Sequence, residues 1–233
     1  MFMVGMTSGL IGGDVSEGTR KPSIYAKAAY DKQVNESLRF RLSGSIYNNP
    51  ESGRNTLYSG DRAGSRYYMV MEPAFAVPRG GTVPVPTSPG NQFTSGRWNP
   101  DFSENITAIQ FNPFVKFNGL EFFGTYEISS GYNSRENEDK RNVTQVGAEL
   151  LYRFLANEQL YIGGRYNTVS GELSPSVADA SINRVSVAAG WYPIDNLLLK
   201  LEYVNQQYND FEPTDRQFQG EFNGFVIEAV VGF

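Results

Sequence analysis

Hydrophobic and polar residues alternate, position by position, over most of the chain. In residues 196–206 one set of alternate positions is apolar, comprising Leu197, Leu199, Leu201 and Tyr203, and the other set includes Lys200, Glu202 and Gln206. A period of two is typical of a β-strand with one apolar face. Such segments predict about ten strands and little helix, at 2–9, 23–31, 38–47, 107–117, 120–129, 144–154, 160–168, 183–191, 196–206 and 222–233.

The lengths of the segments and of their links favour a transmembrane β-barrel over a soluble β-sandwich, which would also alternate. The segments have about 8 to 12 residues, which suits a tilted spanning strand, whereas strands of about five or six are usual in soluble sheets. Short and long links alternate strictly, as expected of periplasmic turns and extracellular loops. The short links are Asp31–Ser37, Asn118–Gly119, Ala156–Gln159 and Pro193–Asp195, and the long ones are 10–22, 48–106, 130–142, 170–181 and 209–220. We therefore predict an all-β fold, an antiparallel transmembrane β-barrel, with residues 1–233 forming one region.

Aromatic residues recur at two levels of the predicted apolar face. One level lies beside the short links or the C-terminus, and the other lies farther along the strands. Two aromatic levels that bracket a band of aliphatic residues are the girdles of a lipid-facing surface. The predicted girdle residues are Tyr30, Phe117, Tyr126, Phe154, Tyr166, Trp191, Tyr203, Phe225 and Phe233. They predict contact with the lipid and lipopolysaccharide of a bacterial outer membrane.

Charged residues occupy the other face of the predicted strands. Eight are cationic and five are acidic, so this wall is net positive although the whole chain carries a net charge of −5. The predicted pore-lining residues are Lys27, Arg39, Arg41, Lys116, Glu121, Glu127, Glu149, Arg153, Arg165, Arg184, Lys200, Glu202 and Glu228. A hydrated pore accommodates them and would have a weak anion preference, because lumen charge sets ion preference. A network of salt bridges that merely fills a narrow barrel is the alternative.

The link at 48–106 is long and rich in Gly, Pro, Ser and Asn. Residues 66–72 could form another strand, but a spanning strand here would break the order of short and long links, so we place them inside an extracellular loop. Links of this length usually have a function or are disordered. One possibility is a constriction that folds inward, with Asp61, Arg62, Arg66, Tyr67 and Tyr68 as candidates; a surface cap over the barrel mouth is the other.

The composition excludes several function classes. The chain has no cysteine and no histidine. Disulfides, cysteine nucleophiles, histidine general bases and histidine-ligated metals or haem are therefore excluded. No segment has 18 to 20 consecutive apolar residues, as a transmembrane helix would need. No basic run points to nucleic acid. The sequence predicts a protein that is not an enzyme, with no catalytic residues, metal or cofactor.

Five segments resemble the porin-like outer-membrane proteins of Bacteroidota, relatives of the phosphate-selective porin O and P family. They are LRFRLSGSIY at 38–47, NTLYSGDRAGSRYY at 55–68, ITAIQFNPFVKFNGLEFFGTYEISSG at 106–131, LLLKLEYVNQQYNDF at 197–211 and FNGFVIEAVVGF at 222–233. The resemblance implies a barrel of about sixteen strands, often trimeric, with further strands and a signal peptide before the region matching residue 1. It also implies a role for the lumen Arg and Lys, although no residue-by-residue match carries phosphate selectivity over. Closure of the ten strands alone is the alternative.

The terminal Phe233 resembles the C-terminal signature by which outer-membrane proteins are delivered to the barrel-assembly machinery. Together with the charged wall, it predicts an outer-membrane porin for passive diffusion of small hydrophilic solutes, anions among them. A non-conducting scaffold that binds partners through its extracellular loops is the alternative. An outer-membrane hydrolase is disfavoured because histidine-dependent chemistry is excluded.

Overall fold

The chain folds into one large antiparallel sheet. The computed structural model describes residues 1–8, 20–52, 55, 57–58, 75–76, 85–86, 98–175, 178–213, 215 and 217–232. The strands are β1 (Phe2–Thr7), β2 (Ser23–Gln33), β3 (Leu38–Asn49), β4 (Phe75–Ala76), β5 (Val85–Pro86), β6 (Asn105–Phe117), β7 (Leu120–Tyr132), β8 (Arg141–Phe154), β9 (Leu160–Gly171), β10 (Ala180–Ile194), β11 (Leu197–Asn209) and β12 (Glu221–Val231).

Ten of these strands form a single sheet in the order β1-β2-β3-β6-β7-β8-β9-β10-β11-β12, in which every pair is antiparallel. Each of the ten segments with period-two alternation is therefore a strand, and the predicted all-β fold is confirmed. β4 and β5 form a separate two-stranded pair inside the long link. The only helical element in the described part of the chain is a short 3₁₀ turn, Ala156–Glu158. None of the described helical residues forms a span long and apolar enough to cross a membrane.

Most strands extend beyond the predicted bounds at the ends near the long links. β8 begins at Arg141 and β10 at Ala180. The sequence pattern loses its alternation there because small and polar residues occupy both faces, yet backbone pairing continues. Two predicted short links are shorter in the structure. Residues 31–33 belong to β2, where Asp31, the last residue of the predicted strand 23–31, pairs with Arg41 on β3 and forms an ion pair with Arg39. Pro193 and Ile194 belong to β10, because backbone pairing with β11 continues to Ile194.

The register of the sheet separates two faces. Residues directly opposite each other on neighbouring strands point to the same side. The row Tyr152, Ile162, Ala189, Leu201 and Ile227 runs across β8 to β12 on what we term the apolar face. The adjacent row Leu151, Gly163, Ala188, Glu202 and Val226 lies on what we term the polar face.

The apolar face is exposed. Ile227 is 83% exposed and Val187 is 59% exposed, and most large aliphatic and aromatic residues of this face are also exposed. The two clusters of buried apolar residues in the described part of the chain lie instead against the polar face, next to the long links. A continuous exposed apolar surface that extends across the ten-stranded sheet marks contact with lipid or with a partner.

The sheet has two edges. Among the described residues, β1 pairs only with β2 and β12 only with β11, so the ten strands do not close on each other. Backbone groups along such edges need partners if the sheet lies in lipid, because no water is available there.

The short link between β6 and β7 has only two residues, Asn118 and Gly119. Asn118 has a φ of 50°, a left-handed conformation that asparagine tolerates better than most residues. A Cβ on Gly119 would lie 2.2 Å from the carbonyl oxygen of Arg153 on β8, so only glycine fits there. The Asn-Gly pair thus fixes both the turn and the contact of this turn with β8.

Candidate functional site

The structure places all thirteen predicted pore-lining residues on the polar face. The register gives this placement strand by strand: Lys27 on β2, Arg39 and Arg41 on β3, Lys116 on β6, Glu121 and Glu127 on β7, Glu149 and Arg153 on β8, Arg165 on β9, Arg184 on β10, Lys200 and Glu202 on β11, and Glu228 on β12. Their role in a pore remains a prediction.

The predicted girdle residues lie on the apolar face wherever the structure describes them. These eight are Tyr30, Phe117, Tyr126, Phe154, Tyr166, Trp191, Tyr203 and Phe225. Tyr203 faces Phe225 directly, with ring centroids 5.2 Å apart. Phe233 lies outside the described residues, as do the constriction candidates Asp61, Arg62, Arg66, Tyr67 and Tyr68 and the whole of segment 66–72.

A compact charge cluster lies at the short-link end of the polar face. Lys116 Nζ is 3.1 Å from Glu121 and 3.0 Å from Glu158, and Arg153 Nε donates to Glu121 at 3.1 Å. Each of the four side chains therefore has an oppositely charged neighbour on an adjacent strand or turn. This arrangement keeps fixed charges on the polar face without an isolated ion.

Glu158 reaches this cluster from an unusual turn. Leu155 has φ 70° and ψ 169°, a region used almost only by glycine, and Asn157 and Glu158 have φ values of 63° and 54°. Three such residues in one short link store backbone strain. The turn bends the link so that the Glu158 carboxylate lies against Lys116, on the polar face.

A second charge cluster lies on β10, β11 and β12. Lys200 Nζ is 2.6 Å from Glu202 and 3.1 Å from Glu228. Arg184 lies 4.0 Å from Glu202 and donates to Gln206 at 3.4 Å. Lysine is thus held between two carboxylates, whereas the arginine has only long contacts.

These placements change the charge of the predicted wall. Asp31 and Glu158 join the polar face, in addition to the five predicted carboxylates. Apart from Arg141 and Glu136, which neutralise each other, eight cations then face seven carboxylates, so the surplus falls from three positive charges to one. The predicted anion preference is correspondingly weaker.

Two of the eight predicted cations of the polar face have no carboxylate contact within the described residues. Arg41 lies over the ring of Phe114, 5.1 Å from its centroid. Lys27 has no ion pair or side-chain hydrogen bond in that part of the chain. The remaining surplus of positive charge on the polar face is therefore concentrated on β2 and β3.

The two ends of the long link fold over the polar face. We term residues 55, 57–58 and 98–104 the cap. Its two segments pair with each other, since Phe102 N donates to Tyr58 O at 3.0 Å and Asn55 N to Ser103 O at 2.9 Å. Phe102 is fully buried against Ile106 and Val143. The described ends of the link thus cover the long-link end of the polar face with apolar side chains.

Trp98 connects the cap to the far strands. It packs against a cluster formed by Ile182, Tyr208 and Phe211, and its ring centroid lies 6.2 Å from that of Phe211 in an edge-to-face arrangement. The cap therefore packs against residues as far apart in the sheet as Tyr47 on β3 and Phe211 in the link after β11.

Arg141 fastens the cap. Its side chain is 1% exposed, and its guanidinium donates to the carbonyl oxygens of Pro100 at 2.7 Å and Glu172 at 2.8 Å. The Glu136 carboxylate accepts from Nη2 at 3.1 Å and also lies 3.0 Å from Nε, where the geometry is that of an ion contact and not of a hydrogen bond. The guanidinium also lies 5.0 Å from the ring centroid of Phe102. One buried cation therefore connects three of the long links to the sheet.

Tyr58 attaches the cap to the charged wall. Its hydroxyl donates to Glu127 Oε1 at 3.0 Å, and Gln110 donates to the other oxygen of the same carboxylate at 3.0 Å. Burial raises the pKa of Tyr58 above its ordinary value, and the negative charge of Glu127 raises that pKa further. Tyr58 therefore remains a neutral hydrogen-bond donor at any physiological pH.

Below the cap the polar face contains a cavity of about 570 Å³. It is lined by residues of β8 to β11 and by Trp98 of the cap. Small residues form part of its lining, among them Gly163, Ser186 and Ala188, while Arg165 and Glu149 contribute charge. The described residues contain no group of three or more acidic side chains able to hold a metal ion.

Sequence reasoning missed Asp31, Glu158, Arg141 and Tyr58 as functional residues. Arg141 fell in a predicted long link, where no alternation marked it. Glu158 fell in a predicted turn, whose strained backbone no propensity encodes. A signal was available only for Asp31, which is the last residue of the predicted strand 23–31 and shares the face of Lys27 by the period of two.

Comparisons with known proteins gave structural matches only. Two structures of OmpT folded in vitro, an outer-membrane protein of Vibrio cholerae, match 89% of this chain, one of them in a trimer form. The identities are 12% and 13%, and the TM-scores are 0.43 and 0.42. The chain spans about half of the length of these proteins, 52% in each. No family model and no curated protein matches, so the resemblance to the phosphate-selective porin O and P family stays a prediction.

Proposed function

We propose that the chain forms part of the wall of a β-barrel in a bacterial outer membrane and allows passive diffusion of small hydrophilic solutes. The observation that carries this proposal is the division of the ten-stranded sheet into an exposed apolar face and a face with rows of charged side chains. Lipid would cover the first face and water would hydrate the second. The alternation holds across every spanning strand, as a membrane wall requires.

The charge balance refines the expected selectivity. Because the surplus of the polar face is small, ions of both signs should pass, with a weak preference for anions. The two clusters around Glu121 and Glu202 place fixed charges of both signs on the polar face, where ions of either sign can interact with them. Solute size would be set by the cap and by whatever completes the sheet at its two edges.

Planar-bilayer recording tests this function. The full-length protein that contains this chain should, when reconstituted, give stepwise conductance that is independent of added partner proteins, and a salt gradient should give a small reversal potential of the sign for anions. A full-length protein that is inserted, as judged by protection from protease, but silent in this assay would contradict the proposal.

One observation favours a second function, that of a non-conducting scaffold. The cap covers the long-link end of the polar face and is fastened by a buried arginine, so it could close the lumen. In that case the links would contact partners on the cell surface. Removal of residues 59–97, between the described parts of the cap, separates the two functions: conductance should change in a porin, whereas only partner binding should change in a scaffold.

Substitution of Glu158→Gln should increase anion preference. The carboxylate neutralises Lys116 at 3.0 Å and lies 3.8 Å from Arg153, so its loss leaves a surplus of positive charge at the short-link end. The anion-to-cation permeability ratio should rise roughly twofold, as lumen charge sets ion preference. Reversal potentials in a salt gradient measure this ratio.

The matched control for that experiment is Asp195→Asn. It removes the same charge from the exposed short link between β10 and β11, where no ion pair forms with the described residues. Equal shifts from both substitutions, or none from Glu158→Gln, would show that Glu158 does not face the conducting path.

A further inference from the structure

The cavity on the polar face contains the loosest ion pairs of the wall. Arg165 lies 3.9 Å from Glu149, and Arg184 lies 4.0 Å from Glu202. Every other paired charge on this face has at least one oppositely charged partner at an N–O distance of 2.6 to 3.1 Å. All four residues of the two loose pairs line the same cavity.

Arg165 and Glu149 are the pair whose hydrogen-bonding groups are most available to a ligand. They face each other in register across β8 and β9, yet 3.9 Å is too long for a hydrogen bond. In the described part of the chain neither side chain makes a hydrogen bond to another residue. Their side chains are 53% and 41% exposed, so a solute can reach both. A pair this exposed contributes little stability, so a ligand that inserts between them displaces little.

The rest of the lining is suited to a small polar molecule. Gly163, Ser186 and Ala188 leave space beside the two charges. The indole N–H of Trp98 is buried and has no acceptor among the described residues. A buried donor without an acceptor is costly, and a ligand oxygen or a water molecule would satisfy it.

We infer that this cavity is a binding subsite for small zwitterionic solutes, such as α-amino acids, with the ligand carboxylate on Arg165 and its ammonium group on Glu149. This inference rests on the proposed function, since it names the solute class that the polar face would favour. A free anion gains from Arg165 but meets Glu149 and Glu202, and a cation meets Arg165 and Arg184. A solute with both charges satisfies both sides of the open pair.

Fluorescence tests binding without requiring transport. The chain has two tryptophans, so Trp191→Phe leaves Trp98 of the cavity as the only indole. In that background alanine should cause a saturable change in emission. Lactate, alaninamide and glycerol, which have the same number of non-hydrogen atoms, should cause a change at least roughly tenfold weaker in affinity, because each lacks a charge-assisted hydrogen bond.

Two variants locate the effect. Glu149→Gln and Arg165→Gln should each weaken alanine binding about tenfold. Asp195→Asn and Lys140→Gln are matched controls, since they make the same charge changes at exposed link positions outside the cavity. Equal binding of all four solutes, no saturable change with alanine, or unchanged binding in both cavity variants would overturn the inference.

Uptake into vesicles separates the two proposals. With radiolabelled alanine and lactate, the inference predicts that Glu149→Gln lowers alanine entry more than lactate entry. Entry of both solutes with no difference between wild type and variant would support the porin and overturn the subsite. Saturable alanine binding with no entry of either solute would support the subsite and overturn diffusion.

Discussion

Arg141→Ala should detach the cap from the polar face. The substitution leaves the Glu136 carboxylate without its buried cation and leaves the carbonyl oxygens of Pro100 and Glu172 without a donor. Breaking a buried ion pair by removing one partner costs about 3–5 kcal/mol. Phe102, Trp98 and Tyr58 still contact the polar face in this variant, but none of them supplies a cation to Glu136 or a donor to the two carbonyl oxygens.

Trp98 emission measures this loss. In a Trp191→Phe background the emission of Trp98 should shift to the red as the indole becomes exposed, and protease should cut the cap more rapidly. If the protein is a porin, single-channel conductance should also rise, because the cap no longer covers the long-link end of the polar face. An unchanged spectrum and cleavage pattern would show that Arg141 does not hold the cap.

Two further variants make the test specific. Arg135→Ala removes an exposed arginine from the same link between β7 and β8 and should change nothing measurable. Glu136→Ala should resemble Arg141→Ala, and the double variant should cost less than the sum of the two, because both act on one interaction. Additive losses would mean that the two residues stabilise the cap independently.

The period of two predicted the ten strands and both faces from the sequence, because every strand has one face in a uniform environment. Lys200 and Glu202 illustrate this: they are two residues apart, so they share a face whatever the exact strand ends are. Register then follows from short links such as Asn118–Gly119, which leave the chain almost no freedom. Local pattern is sufficient where environment and geometry both repeat.

The cap and its fastening could not be predicted in this way. Arg141 contacts Pro100 and Glu172, which are far away in the sequence and lie in links without any periodicity. Glu158 reaches Lys116 only because Leu155 and Asn157 adopt conformations that their own propensities disfavour. Such contacts depend on tertiary structure, and it is these contacts that decide the charge and the opening of the polar face.

Val187→Lys should reveal which solvent covers the apolar face. Val187 lies in the middle of β10 and is 59% exposed. In water a lysine at so exposed a position would be tolerated, with an effect within about 0.5 kcal/mol. In a bilayer a lysine facing lipid near the midplane costs about 2–4 kcal/mol. The same substitution therefore gives opposite results for a soluble sheet and a membrane wall.

Ala188→Lys is the matched control, since the next residue along β10 lies on the polar face. Urea titration of both variants folded into lipid vesicles gives the two free energies of unfolding. A membrane wall predicts a large loss for Val187→Lys and a small one for Ala188→Lys, because only the first places its charge in hydrocarbon. Equal small losses would mean that the apolar face is covered by water, and the proposed diffusion pathway would then lose the membrane on which it depends.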